Sequence, residues 1–297
     1  MANEAYHSSE YYRQQRSMLV NGDPRALICF CIDVSSSMNE WWIEDGGLLR
    51  TSGKGYSDGH NVFHFNAETD IKPGYAAYKK IDKLNDALAS LLSDLKYDKD
   101  LRDKVAISIV VYSRFGKVLF DFLDCSNVDI ASCRCTADAP ETAMGDGIRT
   151  ALSQIDEMEK DLRYAGKDAY TPLLIFMTDG TPTDDPRNEF SLIRERVQKG
   201  DLHVFPLGIG DGADMIRLRD MFPVGSAPDR YTERYKMTMP QNYTDIFQEI
   251  KNHIKQRQSV MVSEGNSRQS QPAIEGQNIT NNQMGEAFDY EDLLSLM

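Results

Sequence analysis

Apolar residues along this chain follow two rhythms. Short unbroken runs alternate with longer stretches in which apolar positions recur three and four residues apart. Unbroken runs mark strands buried on both faces of a sheet. Residues 26–32, 105–112, 118–122, 173–177 and 203–209 are such runs, and 230–238 reads as a sixth strand at an edge. The periodic stretches predict helices over 76–96, 144–163, 187–199 and 241–258, with a short one near 213–222. In the first, Ile81, Leu84, Leu88, Leu91, Leu92 and Leu95 share one face; in the second, Ile148, Leu152, Ile155, Met158 and Leu162 do. Phe190, Ile193 and Val197 mark the third, and Tyr243, Ile246, Phe247, Ile250 and Ile254 the last. Strands alternating with helices imply right-handed crossovers. The expected fold is α/β: a Rossmann-like, doubly wound, mainly parallel central sheet with helices on both faces.

Four regions fall outside these rhythms. Residues 1–24 form a polar arm with Tyr6, Tyr11 and Tyr12, read as a short helix or an ordered extension. Residues 39–72, rich in Gly, Asp and Ser and carrying Trp41 and Trp42, read as a long inserted loop. An irregular segment over 123–141 carries three cysteines. Beyond Val262 the chain turns to Ser, Gln, Asn, Gly and Glu, which bury too little apolar area to order. The expected organisation is an arm (1–24), one domain (25–260) and a disordered linker with a short acidic-hydrophobic end (261–297). If helical, that end aligns Tyr290, Leu293, Leu294 and Met297 on one face.

Composition narrows the function. A hydrophobic content of 41% over 297 residues supports a sizeable core. A formal net charge of -13 argues against nucleic acid and anionic membranes, which require a basic face. No apolar run approaches the ~18 residues of a membrane helix. Five cysteines, an odd number with two inside a strand-like run, read as reduced thiols. The polar leader, with Glu4, Glu10 and Arg13, does not read as a secretory signal. These features together lead to the expectation of a soluble, cytoplasmic protein.

Candidate chemistry lies just past the strands. Asp33, Ser35 and Ser37 follow the first strand, Thr142 precedes the helix opening at Met144, and Asp179 follows the fourth strand. Three hydroxyls and two carboxylates form a ligand set for a hard cation, Mg²⁺ first, with Mn²⁺ or Ca²⁺ as alternatives. Ligands of open parallel sheets bind beyond the carboxyl ends of strands. If Ser35, Ser37 and Thr142 bind directly and the aspartates act from behind, the ion keeps much of its charge and favours an outside carboxylate. Gly145 and Gly147 allow close backbone approach at the helix start, where a positive helix end favours anions. Separately, a serine-rich turn or an Asp-Gly turn is commonplace. The combination carries the argument.

These residues resemble the metal-ion-dependent adhesion site (MIDAS) of von Willebrand factor A domains, whose pattern is Asp-x-Ser-x-Ser, then Thr, then Asp. The match falls on Asp33, Ser35, Ser37, Thr142 and Asp179, and the resemblance extends over about residues 24–258. It implies the family's Rossmann-like fold and metal-dependent binding of a protein partner that supplies Asp or Glu. Stretches 173–185 and 204–214 are similar to bacterial cytosolic members associated with tellurium-resistance genes, which implies kinase or phosphatase partners. The stretch after the serines and segment 123–141 are both longer than the family pattern, and the first would lie over the metal edge.

Other candidates have plainer readings. Cys125, Cys133 and Cys135 as a zinc site lack a Cys-x-x-Cys pair. His60 and His64, four positions apart in the insertion, are a second zinc candidate whose plainer reading is solvated loop residues. Trp41 and Trp42 are candidates for a hydrophobic rim or for packing of the insertion. Thr181, Thr183, Asp184 and Asp185 either tune partner choice or cap the next helix. The acidic-hydrophobic end reads as a docking peptide, with Asp289 or Glu291 able to reach a neighbouring molecule's metal. The expected function is a non-enzymatic, metal-dependent interaction module in a regulatory or stress response. An adaptor for a chaperone-like ATPase is the alternative. A metal-dependent phosphoesterase ranks last, since no histidine lies near the motif segments and no phosphate-cradling loop with a lysine is present.

Overall fold

The computed structural model describes residues 9–23, 25–43, 71–74, 77–137, 139–167, 170–210, 213–221, 236–237, 248 and 251–252. In chain order the elements are α1 (Ser9–Asn21), β1 (Ala26–Asp33), β2 (Trp41–Ile43), β3 (Ala77–Lys79), α2 (Lys80–Tyr97), β4 (Val105–Tyr112), β5 (Gly116–Asp124), α3 (Met144–Tyr164), β6 (Leu173–Thr178), α4 (Arg187–Lys199), β7 (His203–Ile209), α5 (Met215–Arg219) and β8 (Lys236–Met237). Six strands pair in the order β5-β4-β1-β6-β7-β8. Only β4 with β5 is antiparallel; β1–β4, β1–β6, β6–β7 and β7–β8 are parallel. This is the expected Rossmann-like, mainly parallel sheet. β1 lies at its centre, and from Leu27 to Asp33 every residue of β1 is buried. A strand with neighbours on both sides and helices above and below has no wet face, hence the unbroken apolar run.

The winding locates the functional edge. From β1 the chain crosses through α2 to β4 on one side, and from β6 it crosses through α4 to β7 on the other. Right-handed crossovers in opposite directions place α2 and α4 on opposite faces. β1 and β6 are adjacent, so the crevice beyond their carboxyl ends is the topological switch point. The apolar stripe of α3 is buried as its periodicity predicts: Ile148, Leu152, Ile155, Met158 and Leu162 all face the core. α4 ends at Gly200, whose φ of 75° lets its N–H close onto the carbonyls of Arg196 and Val197.

Some expectations are resolved and others are revised, the choice between a short helix and an ordered extension for residues 1–24 falling to the helix. The polar arm is a helix over Ser9–Asn21, with Leu19 and Gln15 buried. Arg16 fastens it, donating to Asp121 of β5 at 3.0 Å and Asp161 of α3 at 2.6 Å. α1 thereby packs over the edge strand β5, which would otherwise present open backbone groups. The helix expected from residue 76 begins at Lys80, because 77–79 instead pair antiparallel with Trp41–Ile43. The expected long loop therefore opens with a strand, and 44–70 lie outside the described residues. The third strand is longer than expected, Gly116–Asp124, and the helix near 213–222 is confined to Met215–Arg219. Of the edge strand at 230–238, Lys236–Met237 is described and pairs with β7. Of the final helix, residues 248 and 251–252 are described and helical, and Lys251 meets Asp94 of α2 at 3.0 Å. The linker, the C-terminal segment, His60 and His64 lie outside the described residues. Among the described residues, no helix is long and apolar enough to cross a membrane.

Candidate metal centre

The last residue of β1, Asp33, is fully buried beside the end of β6. One of its oxygens accepts the backbone N–H of Ser35 at 2.8 Å, and the other accepts the hydroxyl of Thr178 at 2.8 Å. The first bond curls the backbone after β1 and so aims Ser35 and Ser37 towards β6. Their hydroxyls lie 2.9 Å apart, and Ser37 Oγ donates to Asp179 Oδ1 at 2.6 Å. The loop is fastened from the other side by Ser36 N–H on the carbonyl of Ala139, at 2.6 Å.

Thr142 arrives from the α3 side. Its N–H donates to Thr183 Oγ1 at 2.9 Å, and its carbonyl accepts the N–H of Thr183 at 2.9 Å. This double bond-pair ties Thr142 to the loop after β6. Its own hydroxyl lies 3.8 Å from where a Cβ on Gly180 would stand, next to Asp179. The fold thus gathers Asp33, Ser35, Ser37, Thr142 and Asp179 at one sheet edge. All but Ser37 are buried.

Burial and Asp179 push the carboxyl of Asp33 up to about 6, against the stabilising bonds from Ser35 and Thr178. Two buried acids facing each other call for a cation. The donors fit one: neutral hydroxyls in front, with Asp33 engaged behind them. Among the described residues no group of three or more His, Cys, Asp or Glu side chains is arranged to hold a metal, so the hydroxyls are essential to the set.

A residue that sequence reasoning passed over completes the cluster. The Lys80 ammonium, at the start of α2, donates to Asp179 Oδ2 and to Glu40 Oε2, each at 2.9 Å. Burial alone would lower the ammonium's pKa, but the charges and hydrogen bonds of Asp179 and Glu40 outweigh it, and the net shift is upward. Its signal in the sequence is a lysine placed four residues before Leu84, on the apolar stripe of the helix. Thr178 was also missed, for it looks like the last residue of a strand.

The glycines and the Thr-Asp-Asp stretch serve local packing. A Cβ on Gly147 would lie 2.5 Å from the Tyr112 ring, and one on Gly145 3.0 Å from Asp184. Asp184 accepts the N–H groups of Gly145 and Asp146, each at 3.1 Å, and so caps α3 rather than the helix that follows it. The positive end of α3 is therefore occupied by this chain's own carboxylate. Asp185 pairs with Arg187 in the first turn of α4. Trp41 is partly exposed, with the Lys79 ammonium 5.8 Å from its ring centre. Cys125, Cys133 and Cys135 are buried free thiols, each pushed up to about 12 with burial the first cause. Among the described residues they belong to no group of three or more side chains arranged to hold a metal.

A model of the von Willebrand factor type A domain matches residues 74–253. The match begins downstream of Asp33, Ser35 and Ser37, which the sheet itself joins to the matched region through β1. No curated protein matches the chain. Among solved structures, the chain is similar to proximal thread matrix protein 1 from the mussel byssus, at 14% identity and a TM-score of 0.46, covering 76% of this chain and 47% of that one. It is also similar to the PilB minor pilin from Streptococcus sanguinis, at 15% identity and 0.47, covering 80% and 63%. A third is the manganese-loaded TRAP protein of Plasmodium vivax, at 14% and 0.45, covering 76% and 72%. The chain spans less than half the length of the first of these.

Proposed function

Because this chain belongs to the von Willebrand factor type A domain family, we propose that it is a non-enzymatic module that takes up a divalent cation, Mg²⁺ first, and through it binds an acidic side chain of a partner protein. The observation that carries this reading is the hydrogen-bonded chain Ser35–Ser37–Asp179, backed by a buried Asp33 at the switch point of the sheet. Ser35, Ser37 and Thr142 would hold the ion, and Asp33 and Asp179 would orient them. When bound, the ion supplies an electrophilic position for a foreign carboxylate.

The chain's own residues favour binding over catalysis. Both oxygens of Asp33 accept hydrogen bonds, and so do both oxygens of Asp179. Neither carboxylate stands ready to take a proton from a substrate. Neutral hydroxyls in direct contact would leave the ion's charge largely uncompensated, the condition under which an outside Asp or Glu is recruited. A regulatory partner in the cytoplasm, such as a kinase or phosphatase, fits this mode of recognition.

The test is calorimetric titration of Mg²⁺ and Mn²⁺ into the full chain and into Ser35→Ala, followed by partner capture with and without EDTA. The expected result is uptake by the native protein, its loss in the variant, and partners that EDTA releases. Absence of uptake by the native protein, or capture of identical partners in every condition, overturns the reading.

A further inference from the structure

Lys80 is the single charged residue in the buried stripe of α2. Its position divides the site's charges. Asp179 turns Oδ1 to the serine ligands and Oδ2 to the ammonium. The ammonium's second partner, Glu40, lies at the surface: its side chain is 65% exposed, against 9% for Lys80 and 0% for Asp179. Lys80 therefore stands between a buried acid and an exposed one. Glu40 is held within reach by backbone bonds. Its N–H donates to the carbonyl of Ser37 at 3.0 Å, and its carbonyl accepts the N–H of Lys80 at 3.2 Å. Behind the lysine the wall is Gly210, where a Cβ would lie 3.3 Å from Lys80 Cε.

We infer that Lys80 is a built-in competitor of the divalent cation: its ammonium neutralises Asp179 in the metal-free protein, and cation uptake moves it from Asp179 onto Glu40. This rests on the metal-site reading above. Two cations on one carboxylate repel each other strongly at a few ångströms in a shielded site. A buried ammonium holds its place only while its partner's charge is available to it. Glu40 is already in contact, so the lysine keeps a carboxylate partner throughout. Two consequences follow. The metal-free site does not suffer the full repulsion between Asp33 and Asp179. The cation binds more weakly than the same oxygens alone would allow, so occupancy follows cation concentration.

The test uses the full chain, Lys80→Met and Lys80→Arg, titrated calorimetrically with Mn²⁺ and Mg²⁺. Lys80→Met should bind Mn²⁺ about tenfold more tightly or better, as removal of a unit charge beside a divalent ion requires. Lys80→Arg should stay close to the native affinity. The metal-free melting temperature of Lys80→Met should fall, and Mn²⁺ should raise it further than it raises the native protein's. A second measurement needs no variant: acylation of Lys80 by an amine reagent, followed by mass spectrometry, should be slow without Mn²⁺ and several-fold faster with it. Native uptake with no gain in Lys80→Met, or an acylation rate indifferent to Mn²⁺, overturns the role of Lys80. No uptake by either chain overturns the metal-site reading along with it.

Discussion

Two sets of residues that the sequence offered as metal ligands are largely buried in this molecule, one of oxygen and one of sulfur. The first joins Asp33, Ser35, Ser37, Thr142 and Asp179 beyond β1 and β6. The second joins Cys125, Cys133 and Cys135 in the turns that pack against α2. Desolvation acts on both, with opposite results. A thiol is neutral at pH 7, and burial pushes it further from ionisation, so the cysteines become small apolar residues whose S–H groups lean on backbone carbonyls, as Cys133 does on Asp129. A carboxylate is charged at pH 7, and two of them cannot both be hidden without a counter-charge. The sulfur set closes as core; the oxygen cluster needs a positive charge, which the Lys80 ammonium on Asp179 supplies in this structure. Spacing already disfavoured the sulfur set, and the charge state on burial supplies the physical reason.

The sharpest test acts on the sulfur side. Asn85 holds Cys135 by its backbone, accepting the N–H at 2.7 Å and donating to the carbonyl at 2.9 Å. Asn85→Ala strands both buried groups and should cost about 4 kcal/mol, read by urea unfolding, with Mg²⁺ affinity unchanged. A large change in affinity would show that the two regions are coupled. Next comes Gly147→Ala, whose new Cβ would meet the Tyr112 ring at 2.5 Å. That ring stacks on Phe176 and its hydroxyl holds the carbonyl of Met177, so it has little room to yield. A loss of about 3 kcal/mol is expected, this time accompanied by weaker Mg²⁺ uptake, because Tyr112 supports the end of β6.

Asp33→Asn should act in the opposite direction. Its carboxyl titrates near 6 in the fold against an ordinary 3.8. The folded state thus holds the proton more tightly than the unfolded one. Its contribution to stability is fully present below about pH 4 and is lost as pH rises through about 6. At pH 7 without metal, Asp33→Asn should therefore stabilise the protein by something on the order of 2 kcal/mol, after allowance for the weaker acceptor. It should also flatten the fall in melting temperature between pH 4 and 7 and abolish stabilisation by Mg²⁺. A variant less stable than the native protein at pH 7 would contradict the charge argument. The smallest effect is expected from thiol reagents. All five cysteines are buried and free, so a chromogenic disulfide should react with them only after denaturation, and a zinc chelator should leave the melting temperature where it was.

The strands of the central sheet, the helix faces and the oxygen-bearing side chains at its carboxyl edge were legible from the sequence alone, because periodicity records which positions lose water and a short motif keeps its residues in one turn. What only the tertiary structure decided is which distant groups meet. Lys80 finds Asp179 across 99 positions, and Asp184 reaches back over 38 to cap α3. Arg16 turns a polar arm into a helix by meeting acids on β5 and α3, and residues 77–79 leave the helical pattern to pair with Trp41–Ile43. Such pairings depend on strand order and register. Hydrophobic patterning does not encode them, since a charged group's energy is set by the partners that folding places beside it.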